Sequence, residues 1–500
     1  MILSYRNLWM LVMLSAALSA SGLHAGEKKS RAPNIIFIVA DDLGYGELGS
    51  YGQKKIKTPN LDKLAARGMR FTQHYSGSPV CAPSRCVLMT GKHPGHALVR
   101  TNISTPPEGQ HPLPPGTLTL ARLLRSLGYV TGAFGKWGLG GPGSTGAPDK
   151  QGIDRFFGYL CQGKAHNSYP PALWDNDRKV SLKNPEIKLP DKLPDGADPK
   201  DPGNYKAYQG KEYGPDVIAE QARKFIRDNK DRPFFLFVPT TVPHLALQVP
   251  DDSLAEYRGK WEDPPYVGGK GYLPHHAPRA AYAAMVTRMD REVGRIMELI
   301  TELGLDDDTI FIFSSDNGPL GGRYAGTDSA FFFSTAGLRG FKGSLYEGGF
   351  RVPCIICWRG RIRPGATSER VTGFEDWLPT LLELTGNAKS IPRDLDGISF
   401  VPTLFGKAQQ ERPFLYREFP SYGGQQSVRL GDWTGIRQNL VPAKNARPNL
   451  HIELYNLRDD PGQKTDVSAD HPAIVAQIER IFREQHTPSE IFPIPVLDKK

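Results

Sequence analysis

Asn34-Ile35-Ile36-Phe37-Ile38-Val39-Ala40-Asp41-Asp42-Leu43-Gly44 is the stretch on which the fold turns. Its middle is continuously apolar and mostly β-branched, the pattern of a parallel strand covered on both faces. It then stops at two acids. The same pattern returns in Thr309-Ile-Phe-Ile-Phe-Ser314, which ends in Ser315-Asp316-Asn317-Gly318, and in Pro233-Phe-Phe-Leu-Phe-Val-Pro239, which leads to Pro243-His244. Helical periodicity lies between these runs. Residues 120–127 form one helix, stopped by Gly128. Val217, Ile218, Ala222, Phe225 and Ile226 form a stripe after Asp216, read as an N-cap. A longer stripe runs through Tyr282, Met285, Val286, Met289, Val293, Ile296 and Ile300, with Arg288, Asp290, Arg291 and Glu292 off it. Alternating strands and helices predict an α/β fold, a large mostly parallel sheet with helices on both faces. In such sheets ligands bind beyond the carboxyl ends of the strands, where these polar residues cluster.

The ends of the chain read differently. Residues 1–25 carry Arg6, an apolar run from Leu8 to Leu14 and then small residues, the pattern of a secretory signal peptide. The run is short for a bilayer span, and no later segment is long and apolar enough, so no stable membrane insertion is expected after cleavage and the protein is expected in the periplasm or outside the cell. Residues 26–393 read as the catalytic α/β domain. Residues 394–500 read as a smaller antiparallel subdomain, with a hairpin through Val428-Arg-Leu430 and Trp433-Thr-Gly-Ile436 and a final helix over 471–484. The proline-rich stretch 183–205 reads as a loop insertion. The net charge of +9 suits an anionic substrate without identifying it; no feature calls for a nucleic-acid partner. Five cysteines in 500 residues do not make a disulfide scaffold. Cys354 and Cys357 sit three apart in an apolar run, on opposite faces of a strand.

Cys81-Ala82-Pro83-Ser84-Arg85, followed by Thr90-Gly91-Lys92, is the most specific motif. Pro83 favours a helix start, and a helix puts Cys81 and Arg85 on one face. A nucleophile at a helix N-terminus beside an Arg is placed to receive an anion. Asp41, Asp42, Asp316 and Asn317, three carboxylates and one amide, stand at strand ends.

From this pentapeptide outward the chain resembles the type I sulfatases, from about Pro33 to the C-terminal helix. The resemblance implies the alkaline-phosphatase-like fold. It also implies conversion of Cys81 to formylglycine (3-oxoalanine) by a formylglycine-generating maturation enzyme, and a Ca²⁺ ion held by Asp41, Asp42, Asp316, Asn317 and modified residue 81. Gly135-Lys136-Trp137-Gly138 matches the motif whose Lys lies beside the formylglycine. Pro243-His244 matches that of the substrate-side His, and Gly340-Phe341-Lys342-Gly343 that of a second sulfate-contacting Lys. The implied activity is sulfuric ester hydrolysis, with Cys81, Arg85, Lys136, His244 and Lys342 as catalytic residues. Many members carry a His two residues after the first Lys, where this chain has Gly138. His166, in Cys161-Gln162-Gly163-Lys164-Ala165-His166-Asn167-Ser168-Tyr169, is the candidate replacement, against a role in loop ordering or substrate contact. The run from Gln162 to Trp174 is similar to sulfatases acting on sulfated polysaccharides, and makes Asn167, Tyr169 and Trp174 candidate contacts for a sulfated glycan. Two other readings stand beside this one: a phosphodiesterase or phosphonate monoester hydrolase of the same fold, and an inactive glycan-binding homologue.

Overall fold

The computed structural model describes residues 31–187, 192–444 and 446–499. The signal-peptide reading of residues 1–25 lies outside the described residues. Strand Asn34–Ala40 stands inside a ten-stranded sheet. Thr309–Ser315 runs parallel on one side of it and Phe234–Pro239 on the other. Val130–Lys136 and then Arg155–Tyr159 continue the parallel set. Five neighbouring strands therefore point the same way and end along one edge. Cys354–Trp358 is antiparallel beside Thr309–Ser315, and the hairpin of Ala172–Asp175 and Arg178–Ser181 closes the opposite side.

The continuous apolar runs follow from burial on both faces. Ile36 and Ile38 enter a core that includes Leu61, Phe225 and Met289 from three helices, Pro59–Arg67, Gly214–Asp228 and Pro278–Glu302. Ile35, Phe37 and Val39 enter a second core with Val87, Leu124 and Leu381, from Cys81–Thr90, Leu120–Ser126 and Trp377–Leu384. Each such side chain stabilises the fold by about 1.5–3 kcal/mol relative to exposure. Cys354 falls in one core and Cys357 in the other, as their spacing predicts; all five thiols are buried and unpaired.

Two helix details differ from the sequence reading. Helix Gly214–Asp228 begins before Asp216, with Tyr213 at the N-cap and Pro215 in the first turn; proline is preorganised there because its missing N–H is not needed. Asp216 instead accepts from Arg288 of the neighbouring helix. Asp290, which lies off the apolar stripe, is fully buried. It accepts from the backbone N–H groups of Asn60 and Leu61 at 3.1 and 2.7 Å, at the start of Pro59–Arg67.

Residues 183–187 and 192–205 of the proline-rich stretch lie outside the sheets, pinned by a bridge from Lys192 to Gly268. Hairpin Gln425–Leu430 and Trp433–Gln438 forms the middle of a four-stranded antiparallel sheet. Helix Pro472–Gln485 packs Ile478, Ile481 and Phe482 onto that sheet. Residues 32–500 form one compact unit.

Candidate active site

Four adjacent parallel strands deliver the polar residues to one place. Asp316 and Asn317 follow Thr309–Ser315, Asp41 and Asp42 follow Asn34–Ala40, His244 follows Phe234–Pro239, and Lys136 ends Val130–Lys136. Asp42 adopts a left-handed φ of 68°, which turns the chain sharply as it leaves the strand. Its backbone N–H donates to Asp316 Oδ1 at 3.3 Å, and Asn317 Nδ2 donates to Asp42 Oδ1 at 2.7 Å. The acids from the two strand ends thus meet.

Helix Cys81–Thr90 starts over this cluster. Its first turn is held by Asn102, which accepts from Ala82 N–H at 3.0 Å. The Cys81 thiol donates to Asp41 Oδ1 at 3.4 Å, and Lys136 Nζ lies 3.6 Å from Sγ and 2.6 Å from Asp41 Oδ2. One turn on, Arg85 reaches Asp316 Oδ2 at 2.8 Å and Asp41 Oδ2 at 3.5 Å, and its Nη1 donates to the Lys136 carbonyl. Lys342 arrives on a loop whose backbone is tied to Pro319 and, through Gly343, to Pro79 just before Cys81. Its Nζ sits 2.8 Å from both oxygens of Asp42. Three cations, three carboxylates and the thiol are therefore packed around one point, nearly all fully buried.

His244 Nδ1–H is committed to the Leu245 carbonyl at 2.7 Å, which leaves Nε2 facing Asp42 Oδ2 at 3.5 Å. His166 stacks on His244, with centroids 4.8 Å apart and planes 14° apart. Among the described residues it makes no side-chain hydrogen bond to Cys81. Gly138 has a left-handed φ of 77°, and a Cβ there would lie 2.6 Å from Gln162 Nε2. The Gln162 carboxamide thus occupies the space beside Gly138, buried and with neither polar atom partnered. Gln162 stands out in the sequence only through the missing side chain at Gly138, whose space it fills.

The residues expected to touch substrate are engaged with neighbours of their own loop and hairpin. Asn167 and Tyr169 are buried and bond each other, Asn167 Oδ1 accepting from Tyr169 N–H and Nδ2 donating to the Tyr169 carbonyl. The Tyr169 ring packs against Tyr213. The Trp174 indole donates to Glu108 at 2.9 Å on the edge hairpin, under Lys179. These contacts order the loop.

Electrostatics follow from burial and crowding. Burial, then Asp41, push the Cys81 thiol up to about 12. Burial would raise Asp41, but Lys136, His244 and Arg85 override it and hold this carboxyl well below its usual range. Burial and then repulsion from Asp41 push Asp316 up to about 7. Burial, with Lys342 and Lys136, holds His244 well below its usual value, and burial with His244 takes His166 to about 2, so both rings are neutral at pH 7. Asn317 Oδ1 is a buried oxygen with no partner among the described residues, while its amide nitrogen is engaged by Asp42 and Gly318. An orphaned oxygen beside three carboxylates fits a hard, oxygen-seeking cation. Asp41, Asp42, Cys81 and His244 also bring ligand atoms within 4.8 Å of one another.

The sulfatase family model matches residues 33–387, and that of the N-sulphoglucosamine sulphohydrolase C-terminal region matches 340–487. The chain is 34% identical to arylsulfatase A of Homo sapiens, covering 88% of this chain and 84% of that protein. It is 28% identical to N-acetylgalactosamine-6-O-sulfatase of Bacteroides thetaiotaomicron, covering 92% and 94%. The solved structure of Ps i-CgsB in complex with k-i-k-neocarrahexaose superposes with a TM-score of 0.73 at 27% identity, over 91% of this chain and 92% of that one.

Proposed function

The chain belongs to the sulfatase family, and we propose that, as a hydrolase of sulfuric esters, it acts on a sulfated carbohydrate through a formylglycine made from Cys81 and a Ca²⁺ ion. The observation that carries this reading is the Cys81 side chain set 3.4 Å from Asp41 and 3.6 Å from Lys136, with Arg85 one turn on. A thiol pushed up to about 12 stays protonated at neutral pH, so unmodified Cys81 is poorly suited to act as a thiolate. Asp41, Asp42, Asp316, Asn317 and residue 81 would hold the ion. When present, the ion supplies positive charge to the sulfate oxygens and the hydrated aldehyde supplies the attacking oxygen.

The remaining work belongs to side chains of this chain. Arg85, Lys136 and Lys342 stabilise the negative charge that builds on the sulfuryl group. His244 handles a proton at Nε2, because Nδ1 is held by Leu245. Burial, with Lys342 and Lys136, keeps that ring neutral. An arriving sulfate ester offsets the lysines and raises its affinity for the proton that it passes to the leaving alkoxide. His166, stacked on His244, is proposed as the base that Gly138 cannot supply.

A sulfated glycan as substrate is supported by relatives named for sulfated sugars and by the carbohydrate complex of a structural neighbour. No helix among the described residues is long and apolar enough to cross a membrane, and the first 25 residues support export to the periplasm or beyond. The formylglycine-generating enzyme is then a required partner. The test is mass spectrometry of the peptide carrying residue 81, from protein made with and without that enzyme, alongside turnover of matched sulfate and phosphate esters with and without a chelator. The aldehyde mass, chelator-sensitive sulfate release and weak phosphate turnover are expected. Active protein with only unmodified thiol would refute the aldehyde reading.

A further inference from the structure

Two tyrosine rings continue outward from the paired histidines of the site. The half-buried Tyr272 ring lies 5.1 Å from that of His166 and 6.1 Å from that of His244. Tyr272 is therefore one ring removed from a nitrogen that faces Asp42. Tyr324 continues outward, its ring 6.2 Å from Tyr272 and turned by 79°, and it is 41% exposed. Neither hydroxyl has a protein partner among the described residues. Both rings sit on pinned turns. Tyr266 and His275 exchange two backbone hydrogen bonds of 2.9 Å around the loop that carries Tyr272, and Thr327 donates to the Tyr324 carbonyl through N–H and hydroxyl. Lys270 places its ammonium 5.7 Å from the Tyr324 centroid, adding positive charge on this side.

We propose that Tyr272 and Tyr324 form a wall that stacks the sugar adjoining the sulfated one, so that the site is built for an anionic oligosaccharide rather than a sulfated monosaccharide. The inference rests on the carbohydrate reading above. The chemistry is specific to that class. A pyranose presents C–H groups on its faces and hydroxyls around its rim. Aromatic rings carry a negative face that meets the former, and a free phenol at the ring edge meets the latter. Two nearly perpendicular rings make a corner that fixes orientation as well as contact. Lys270 suits a further sulfate or carboxylate on the bound chain.

The experiment compares Tyr324→Ala with the wild type on 4-nitrophenyl sulfate and on chondroitin 6-sulfate and carrageenan oligosaccharides of increasing length. Tyr324 is 41% exposed, and each protein's turnover of the aryl ester is the reference against which its oligosaccharide rates are read. On the longer oligosaccharides kcat/KM falls roughly tenfold, mainly through KM, and the wild type's gain with chain length disappears. A Tyr324→Trp variant retains that gain. A wild type that gains with length and a Tyr324→Ala protein that gains equally would overturn the wall alone. A wild type that cleaves the aryl ester but prefers no oligosaccharide would overturn both the wall and the carbohydrate reading, with sulfate ester hydrolysis intact.

Discussion

Single residues divide into those whose chemistry was readable from neighbours in the chain and those whose meaning lay across it. Cys81 and Arg85 belong to the first group, because one helical turn brings them to one face. Cys81→Ala is expected to abolish turnover. Cys86→Ala, deep in the second core and away from the acids, costs only about 1–2 kcal/mol of stability, read from a denaturant midpoint. Gln162 belongs to the second group. Its carboxamide lies 2.6 Å from where a Cβ on Gly138 would stand, a contact between residues on different strand ends. Gly138→His therefore destabilises by roughly 1–3 kcal/mol through overpacking, and less in a Gln162→Ala background. Equal losses in the two backgrounds would show that the carboxamide is not what fills the space. His166→Ala separates catalysis from loop ordering. As a base or support for His244, it lowers kcat on a small aryl sulfate by about a hundredfold with KM little changed. A loss confined to melting temperature would mean that the ring only orders its loop.

At the scale of elements, the strands were legible because burial on both faces leaves no polar position until the carboxyl end. The break from Ala40 to Asp41 marks an element boundary and the edge of the site at once. Helix boundaries were less legible. Asp216 resembled a cap but sits inside the first turn, bound to Arg288. The group that does cap the start of Pro59–Arg67 is Asp290, 229 positions from Leu61, and Thr58 offers no side-chain cap there. Periodicity treats Asp290 as a solvent-facing residue, since its partners belong to another helix. Asp290→Ala leaves two backbone N–H groups unsatisfied and is expected to lower stability by about 2 kcal/mol, whereas Asp290→Asn keeps acceptors and loses less. Loss of amide protection at Asn60 and Leu61, seen by hydrogen exchange, would locate the effect. Unchanged protection there would remove the capping account.

Over the whole molecule, the four-stranded sheet is tied to the turn that leads into helix Trp377–Leu384 by a polar seam that no local pattern announces. Arg417 of the four-stranded sheet pairs with Glu375 at 2.9 Å, Arg412 bonds Asp376 at 2.8 Å, and all four are buried or nearly so. His74 lies against this seam, giving its Nδ1–H to Thr372 and accepting from the Trp377 indole at Nε2, which requires the neutral ring. Burial would raise Glu375, but Arg417 and Arg412 override it and hold it at about 2; its pairing therefore survives until pH falls toward that value. Burial lowers His74 to about 3, against a pull upward from Glu375. Between its unfolded value near 6.5 and about 3, the unfolded chain takes up a proton at His74 that the native state refuses, so stability drains away as pH falls across that window. By pH 4 this amounts to about 3 kcal/mol, before the Glu375 pair begins to fail. A His74→Gln protein keeps an acceptor for Trp377 and has nothing to protonate. It should be less stable than the wild type at pH 7, yet lose less between pH 7 and pH 4, so that urea midpoints of the two converge in acid. Parallel pH curves for the two proteins would exclude His74 as the acid-sensitive point of the seam.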